Sequence, residues 1–178
     1  MNIEHTVHRD GFYYRVVAPS WADPADTSYS KKQGGRWNPP GEFGALYLNA
    51  DVHVAAANAR AQHAGRAIKL FDLVPEARPE LVTFDVPWVE VLDACTQKGV
   101  AALGFADNFP YQVTWPACQA VAREAHTAGL SGIAARSHAE TTATASVEEE
   151  LALFEEISPG PPIARRPFHE WYPDPIAG

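Results

Sequence analysis

Cysteine is scarce in this sequence of 178 residues, and the two that occur, Cys95 and Cys118, lie in neither a CxxC motif nor a Cys/His metal-binding spacing. Two isolated thiols favour a reduced intracellular protein over a secreted one held by disulfides. Long apolar runs are also lacking: no stretch of the sequence approaches the ~20 apolar residues that a membrane-spanning helix needs. The first residues show no basic segment followed by an apolar one. We therefore expect a cytoplasmic protein with no membrane partner.

Positive charge is in short supply as well. The sequence has 14 Lys and Arg residues and 22 Asp and Glu residues, so its formal charge is −8. A negative charge of this size would repel a nucleic-acid backbone. The seven histidines form no HExxH motif and no pair four residues apart, so we expect no catalytic metal. A P-loop and a GxGxxG turn are missing too. These absences exclude direct nucleic-acid binding and weigh against ATP-binding and Rossmann-type sites.

The patterns that are present predict one α+β domain, a class consistent with 46% hydrophobic residues. Residues 51–64 predict a helix capped by Asn49 or Asp51, and Pro116 opens a second helix that Gly129 closes. A long irregular connection over residues 18–44 is typical of a functional loop. Strands are indicated by β-branched, aromatic and apolar runs at residues 12–17, 45–48, 81–86, 89–92, 132–137 and 151–154, with a bend at Pro87 between the third and fourth.

Proline is concentrated at the C-terminal end, where six of the 15 prolines fall within the last 21 residues. This composition predicts an extended segment. Its aromatic residues, Phe168, Trp171 and Tyr172, favour packing on the body over binding a partner. We therefore divide the chain into a domain over residues 1–157 and a Pro-rich extension over 158–178 that packs on or near it.

A local basic loop stands out in this acidic chain. Lys31, Lys32 and Arg36 flank the paired glycines at 34 and 35, and Trp37 follows. Glycines let backbone N–H groups approach a ligand, the Arg36 guanidinium suits phosphate, and an indole offers a stacking face. The alternative is a solvated turn with Arg36 in an ordinary salt bridge. The acidic run Glu148 to Glu150 is interpreted as the solvated entry of a late loop.

Four segments together resemble the RES-domain family: YRV at 14–16, GGRWNPPG at 34–41, LYL at 46–48 and GIAARS at 132–137. Members of that family look like NAD⁺-degrading toxins. The resemblance covers about residues 12–156 and implies a split mixed sheet flanked by helices, like that of ADP-ribosyltransferases, with NAD⁺ in a cleft across the sheet. It also implies a small helix-turn-helix (Xre-type) antitoxin as a partner.

The resemblance carries over to the site residue by residue. Arg15 and Arg36 match the family's NAD⁺-contacting arginines, Tyr47 its site tyrosine and Ser137 its named serine, while Lys32 and Trp37 are expected to help bind the ligand. The family's catalytic Glu does not carry over. It belongs on the helix after the Tyr-Leu strand, where this chain has Asn58, and no acidic residue lies between Asp51 and Asp72.

The resemblance thus implies a NAD⁺ glycohydrolase or phosphorylase, the toxin of a toxin–antitoxin pair, with Arg15, Tyr47, Asn58 and Ser137 at the reaction centre. A carboxylate stabilises an oxocarbenium-like transition state, so Asn58 predicts weakened turnover that Asn58→Glu would raise. Two alternatives stay open: a catalytically impaired module that binds NAD⁺ or ADP-ribose, and an ADP-ribosyltransferase acting on a macromolecule. The sequence does not decide between water and phosphate as acceptor.

Overall fold

The protein is described by a computed structural model, which covers residues 3–139 and 148–172. In chain order its elements are β1 (Thr6–Val17), α1 (Ser28–Gln33), β2 (Ala45–Asn49), α2 (Val52–His63), β3 (Glu80–Ala94), α3 (Gln97–Ala102), α4 (Trp115–Thr127), β4 (Gly132–Arg136), β5 (Glu149–Phe154), β6 (Ala164–Arg166) and α5 (Phe168–Trp171). Within the described ranges, no helix is long and apolar enough to cross a bilayer.

The strands form one mixed sheet in the order β1-β2-β5-β4-β3-β6. β3 and β4 run parallel, and the other neighbouring strands run antiparallel. β1 also pairs with β3 along nearly its whole length, from Thr6↔Leu92 to Val17↔Glu80, so five strands close into a ring. The sequence-based prediction of a single α+β domain is confirmed at this level.

β3 is one continuous strand, so the prediction of two strands separated at Pro87 is wrong. Opposite this region, Arg9 of β1 pairs with Val89 and Gly11 pairs with Val86, which leaves one extra residue on β3. The extra residue makes a β-bulge, and a bulge accepts proline because the missing N–H costs no ladder hydrogen bond there. Gly11 meets the bulge with a φ of 88°, a conformation that favours glycine.

Helix α2 confirms the predicted helix and its cap. The Asp51 side chain accepts a hydrogen bond from the Val54 amide at 2.9 Å. Ala55, Ala56 and Ala59 are buried, and these small side chains let the helix lie close to the strands. Asn58 stays at the edge of this apolar face and is half-buried. The helix thus holds an amide side chain at the border between the core and the surface.

The described part of the C-terminal segment, residues 158–172, packs onto the body through aromatic side chains. Phe168 and Trp171 are each 5% exposed and join the apolar cluster that contains the alanines of α2. β6 pairs with the first residues of β3. The expectation that the segment is extended throughout is wrong, because residues 168–171 form a short helix. Residues 140–147, a segment rich in Thr and Ala between β4 and β5, lie outside the described residues.

Candidate functional site

A cleft opens where the sheet is joined most weakly. β1 and β2 pair at a single position, Tyr14 with Asn49, and the Asn49 side chain adds a hydrogen bond to the Tyr14 carbonyl at 3.0 Å. The cleft has a volume of about 340 Å³. The polar residues in its lining are Arg15, Tyr29, Ser30, Tyr47, Asn49, Asn58, Gln62 and Glu150. Arg15, Tyr47 and Asn58, which are distant in sequence, therefore share one cleft.

A polar network crosses the inner wall of the cleft. The Asn58 Nδ2 group donates to Asn49 Oδ1 at 2.7 Å and to Glu150 Oε1 at 2.8 Å. From the opposite side, the Ser137 hydroxyl donates to the same Glu150 oxygen at 2.7 Å. Both partners of Asn58 are acceptors, so its amide must present nitrogen to them. Asn58 and Ser137 converge on one carboxylate that the sequence analysis did not place in the site.

Glu150 reaches the cleft because neighbouring residues of a strand point to opposite faces of the sheet. Glu149, one position earlier on β5, faces the other way. Its carboxylate accepts two hydrogen bonds from Arg9, at 2.8 and 2.7 Å, and one from the Tyr13 hydroxyl at 2.9 Å. The interpretation of Glu148 to Glu150 as a solvated loop is therefore wrong for Glu149 and Glu150, since each has a defined place in the fold.

Arg15 brings a cation to the cleft. Its guanidinium donates to the Pro24 carbonyl at 2.5 Å and lies 5.3 Å from the centre of the Trp21 ring. Within the described ranges, no carboxylate forms a salt bridge with it. Burial lowers the pKa of Arg15 to about 10, an effect that nearby acidic residues partly offset, so the group is charged at neutral pH. A half-buried cation whose hydrogen bonds go to neutral carbonyl groups favours an anionic ligand.

Tyr47 anchors the glycine-rich loop. Its hydroxyl accepts a hydrogen bond from the Trp37 amide and donates one to Asn38 Oδ1, each at 2.8 Å. Burial raises the pKa of Tyr47 well above its usual range, and the Glu150 charge adds to the effect, so the phenol stays protonated. A Cβ atom at Gly35 would collide with this hydroxyl. Gly35 is thus required for packing on Tyr47.

Arg36 lies beside the cleft. Its guanidinium packs over the Phe109 ring at 4.9 Å and makes long contacts, at 3.4 and 3.5 Å, with the carbonyls of Arg136 and Pro110. It does not line the cleft, but it touches the residue that precedes Ser137. Among the described residues, no salt bridge occupies Arg36. The alternative of an ordinary structural salt bridge therefore finds no partner in this part of the chain.

Two of the expected ligand-binding residues are placed differently. Trp37 is 0% exposed and belongs to the apolar core, so the expectation that its ring stacks on a ligand is wrong. Lys32 is exposed on α1 and does not line the cleft. The exposed aromatic rings at the cleft are instead those of Trp21 and Tyr29, which are 41% and 70% exposed. In the described portion of the chain, no three His, Cys, Asp or Glu side chains cluster as metal ligands.

The chain resembles several known proteins. The RES domain family model matches residues 12–172. The NAD(+) phosphorylase MbcT of Mycobacterium bovis and that of Mycobacterium tuberculosis are each 35% identical to it over 104 residues, or 58% of this chain and 55% of theirs. The match thus spans about half the length of these curated relatives. The crystal structure of the M. tuberculosis MbcT-MbcA toxin-antitoxin complex aligns with a TM-score of 0.75 at 23% identity, covering 93% of this chain and 91% of that one, and shows a shared fold. Since the family model covers most of the sequence, the chain belongs to the RES domain family.

Proposed function

We propose that the protein binds NAD⁺ in the cleft between β1, β2 and α2 and cleaves its nicotinamide–ribose bond, with inorganic phosphate as the acceptor. The observation that carries this proposal is the cation and the carboxylate in one cleft, Arg15 and Glu150. NAD⁺ offers each of them a partner, because it joins an anionic diphosphate to a ribose that becomes positively charged as nicotinamide leaves. The printed name of the curated relatives supports phosphate as the acceptor.

Arg15 is the residue that we expect to hold the diphosphate. Its protein partners are carbonyl groups, which a charged phosphate outcompetes as a hydrogen-bond acceptor for guanidinium. Arg36 is the second cation that we expect to contact the ligand's phosphates, since its hydrogen bonds to carbonyl groups are long, at 3.4 and 3.5 Å. Replacing Arg36 by Lys removes the planar fork, so Arg36→Lys is expected to weaken NAD⁺ binding, as measured by calorimetry.

The reaction needs little covalent help from the protein. The C–N bond to nicotinamide breaks, and its electron pair neutralises the positively charged ring nitrogen. A phosphate oxygen forms the new bond to the same ribose carbon, giving ADP-ribose-1″-phosphate and nicotinamide. The protein accelerates the reaction by positioning the two reactants and by stabilising the positive charge that develops on the ribose in the transition state. Tyr47 and Ser137 serve this geometry: one fixes the loop at 35–38, and the other fixes the Glu150 carboxylate.

The finer fold relation belongs to the same proposal. An ADP-ribosyltransferase-like split sheet would place the nucleotide at the seam between two halves of the sheet. The single pairing between β1 and β2, with the cleft beside it, supports this relation. The division into a domain over residues 1–157 and an extension over 158–178 is likewise a proposal, to be tested by truncation before residue 158.

We also propose that the protein is the toxin of a toxin–antitoxin pair. The structural neighbour is a complex of that kind, and exposed Trp21 and Tyr29 give the cleft an apolar rim that a partner would bury. Co-expression with a helix-turn-helix protein encoded by the adjacent gene tests this. Rescue of growth together with co-purification supports the pair, and unchanged growth without the second protein argues against a toxin.

Product analysis tests the enzymatic proposal. Purified protein is incubated with NAD⁺ with and without inorganic phosphate, and the products are separated by chromatography and identified by mass. Nicotinamide together with ADP-ribose-1″-phosphate, formed only when phosphate is present, is the expected result. Free ADP-ribose as the product would show that water, and not phosphate, is the acceptor. Unchanged NAD⁺ would refute the activity.

A further inference from the structure

We infer that Glu150 is the catalytic carboxylate of this site, carried on strand β5 in place of the acidic residue that the family resemblance expects on α2. The inference rests on the proposed function, because it assigns a role within that reaction. Asn58, at the expected position on the helix, then acts as a positioning residue. The site would thus have its negative charge on β5, next to the position on α2 where the family resemblance expects it.

The hydrogen bonds around Glu150 carry the argument. Asn58 and Ser137 both donate to Oε1, at 2.8 and 2.7 Å, so two separate elements hold one oxygen in place. In the described part of the chain, Oε1 takes both side-chain hydrogen bonds that Glu150 accepts, and Oε2 takes none. Neither donor is charged, and among the described residues no cation forms a salt bridge with this carboxylate. Glu150 also lines the cleft, and its Oε2 atom is the oxygen that we expect to contact a ligand there.

The identity of residue 58 fits this arrangement. An ionised carboxylate only accepts hydrogen bonds, whereas an amide nitrogen donates two. Asn58 uses both of its N–H groups, one toward Glu150 and one toward Asn49. A Glu at position 58 could donate neither bond and would place a second negative charge next to Glu150. An amide at 58 is therefore the residue that a carboxylate at 150 requires.

The Glu150 carboxylate lies close to the position at which the family resemblance expects a carboxylate. Asn58 Nδ2 and Glu150 Oε1 are 2.8 Å apart, so the Glu150 carboxylate lies one hydrogen bond from the end of the helix side chain. It can face the same ribose. As the bond to nicotinamide breaks, Oε2 would accept a hydrogen bond from a ribose hydroxyl and oppose the positive charge developing on the ring. Glu150 takes up no proton and forms no covalent bond in this step.

Replacing Glu150 by Gln tests the inference while keeping its acceptor oxygen for Asn58 and Ser137. The kcat for nicotinamide release is expected to fall by about 10²–10³-fold, as when one electrostatic group is removed from an active site. The dissociation constant for NAD⁺ should change less than about fivefold, because the carboxylate stabilises the transition state more than it stabilises bound NAD⁺. Glu42→Gln is the matched control: it removes a half-exposed carboxylate paired with Arg123, away from the cleft, and should leave both constants unchanged.

A double variant tests whether the reaction needs a carboxylate in the cleft or needs Glu150 itself. The exchange Asn58→Glu with Glu150→Gln returns the carboxylate to the helix and the amide to the strand, and it should recover at least tenfold of the lost kcat. Glu150→Gln with a kcat within threefold of wild type would overturn the inference and leave the proposed function standing. Wild-type protein that neither binds NAD⁺ nor releases nicotinamide would refute both.

Discussion

The substitution Asn58→Glu gives the most quantitative test of the cleft network, because its effect is on stability and needs no assumption about activity. In the native protein, Asn58 donates hydrogen bonds to Glu150 and to Asn49. The bond to a charged carboxylate is worth about 1.5–3 kcal/mol and the neutral one about 0.5–1.5 kcal/mol. A Glu at this position loses both bonds.

The new carboxylate also repels Glu150. Two like charges about 4 Å apart interact by roughly 4 kcal/mol at an effective dielectric constant near 20, and rotation of one side chain toward solvent relieves part of this. The two effects together predict a loss of about 3–5 kcal/mol in the free energy of unfolding at pH 7.5, a large part of the 5–15 kcal/mol typical of domains.

The loss should depend on pH in a defined direction. Two adjacent carboxyl groups raise the pKa of one of them above its unfolded value of about 4.3, since they favour sharing a proton. The destabilisation is therefore complete above the raised pKa and fades as the pH falls toward the unfolded value. Urea unfolding of wild type, Asn58→Glu and the exchange variant at pH 7.5 and 5.0 measures this. Equal stability of Asn58→Glu and wild type at both pH values would refute the network.

Three further outcomes follow from other contacts. Arg15→Gln should raise the dissociation constant for NAD⁺ at least tenfold in calorimetry, because a hydrogen bond to a charged group contributes about 1.5–3 kcal/mol; an unchanged constant would remove Arg15 from the site. Glu149→Gln should lower the free energy of unfolding by about 3 kcal/mol, since it breaks the mostly buried pair with Arg9, and urea titration showing no change would contradict this. Burial and the Glu149 carboxylate raise the pKa of the Cys95 thiol to about 12, and burial raises the pKa of the Cys118 thiol. Neither buried thiol should therefore react with a thiol reagent at pH 8 before the protein unfolds. Rapid labelling of the native protein would contradict this packing.

Local patterns predicted most of the regular elements. The helix at α2 was recognisable because Asp51 caps an alanine stripe, and the strands because β-branched and aromatic residues run between turn residues. Pro87 led to the wrong prediction of two strands, since the bulge that accommodates this proline depends on the register of β1, which is distant in sequence. The packing of α5 on α2 depends on long-range contacts of the same kind.

The candidate site was predicted in part. The resemblance supplied Arg15, Arg36, Tyr47, Asn58 and Ser137. The fold brings Arg15, Tyr47 and Asn58 into one cleft and Ser137 to its wall through Glu150, whereas Arg36 does not line the cleft. Glu150 was missed because the acidic run at 148–150 looks like a solvated surface when only charge is counted. The alternation of a strand beginning at Glu149 is the signal that separates its two neighbouring carboxylates.

Trp37 shows the limit of composition as a guide. An aromatic residue beside an Arg and two glycines looks like a ligand-stacking group, but the hydroxyl of Tyr47 draws the Trp37 backbone inward and the indole fills the core. Which side of a loop faces a ligand is decided by such tertiary hydrogen bonds, and the sequence contains no local record of them.

A crystal structure of the Glu150→Gln variant with NAD⁺ tests the central claim most directly, because slow turnover should preserve the intact ligand. The account predicts one NAD⁺ in the cleft, with its diphosphate in hydrogen-bond contact with Arg15. The ribose that bears nicotinamide should lie against the substituted side chain at position 150, within about 3.5 Å. NAD⁺ bound elsewhere, or bound with that ribose away from position 150, would contradict the account.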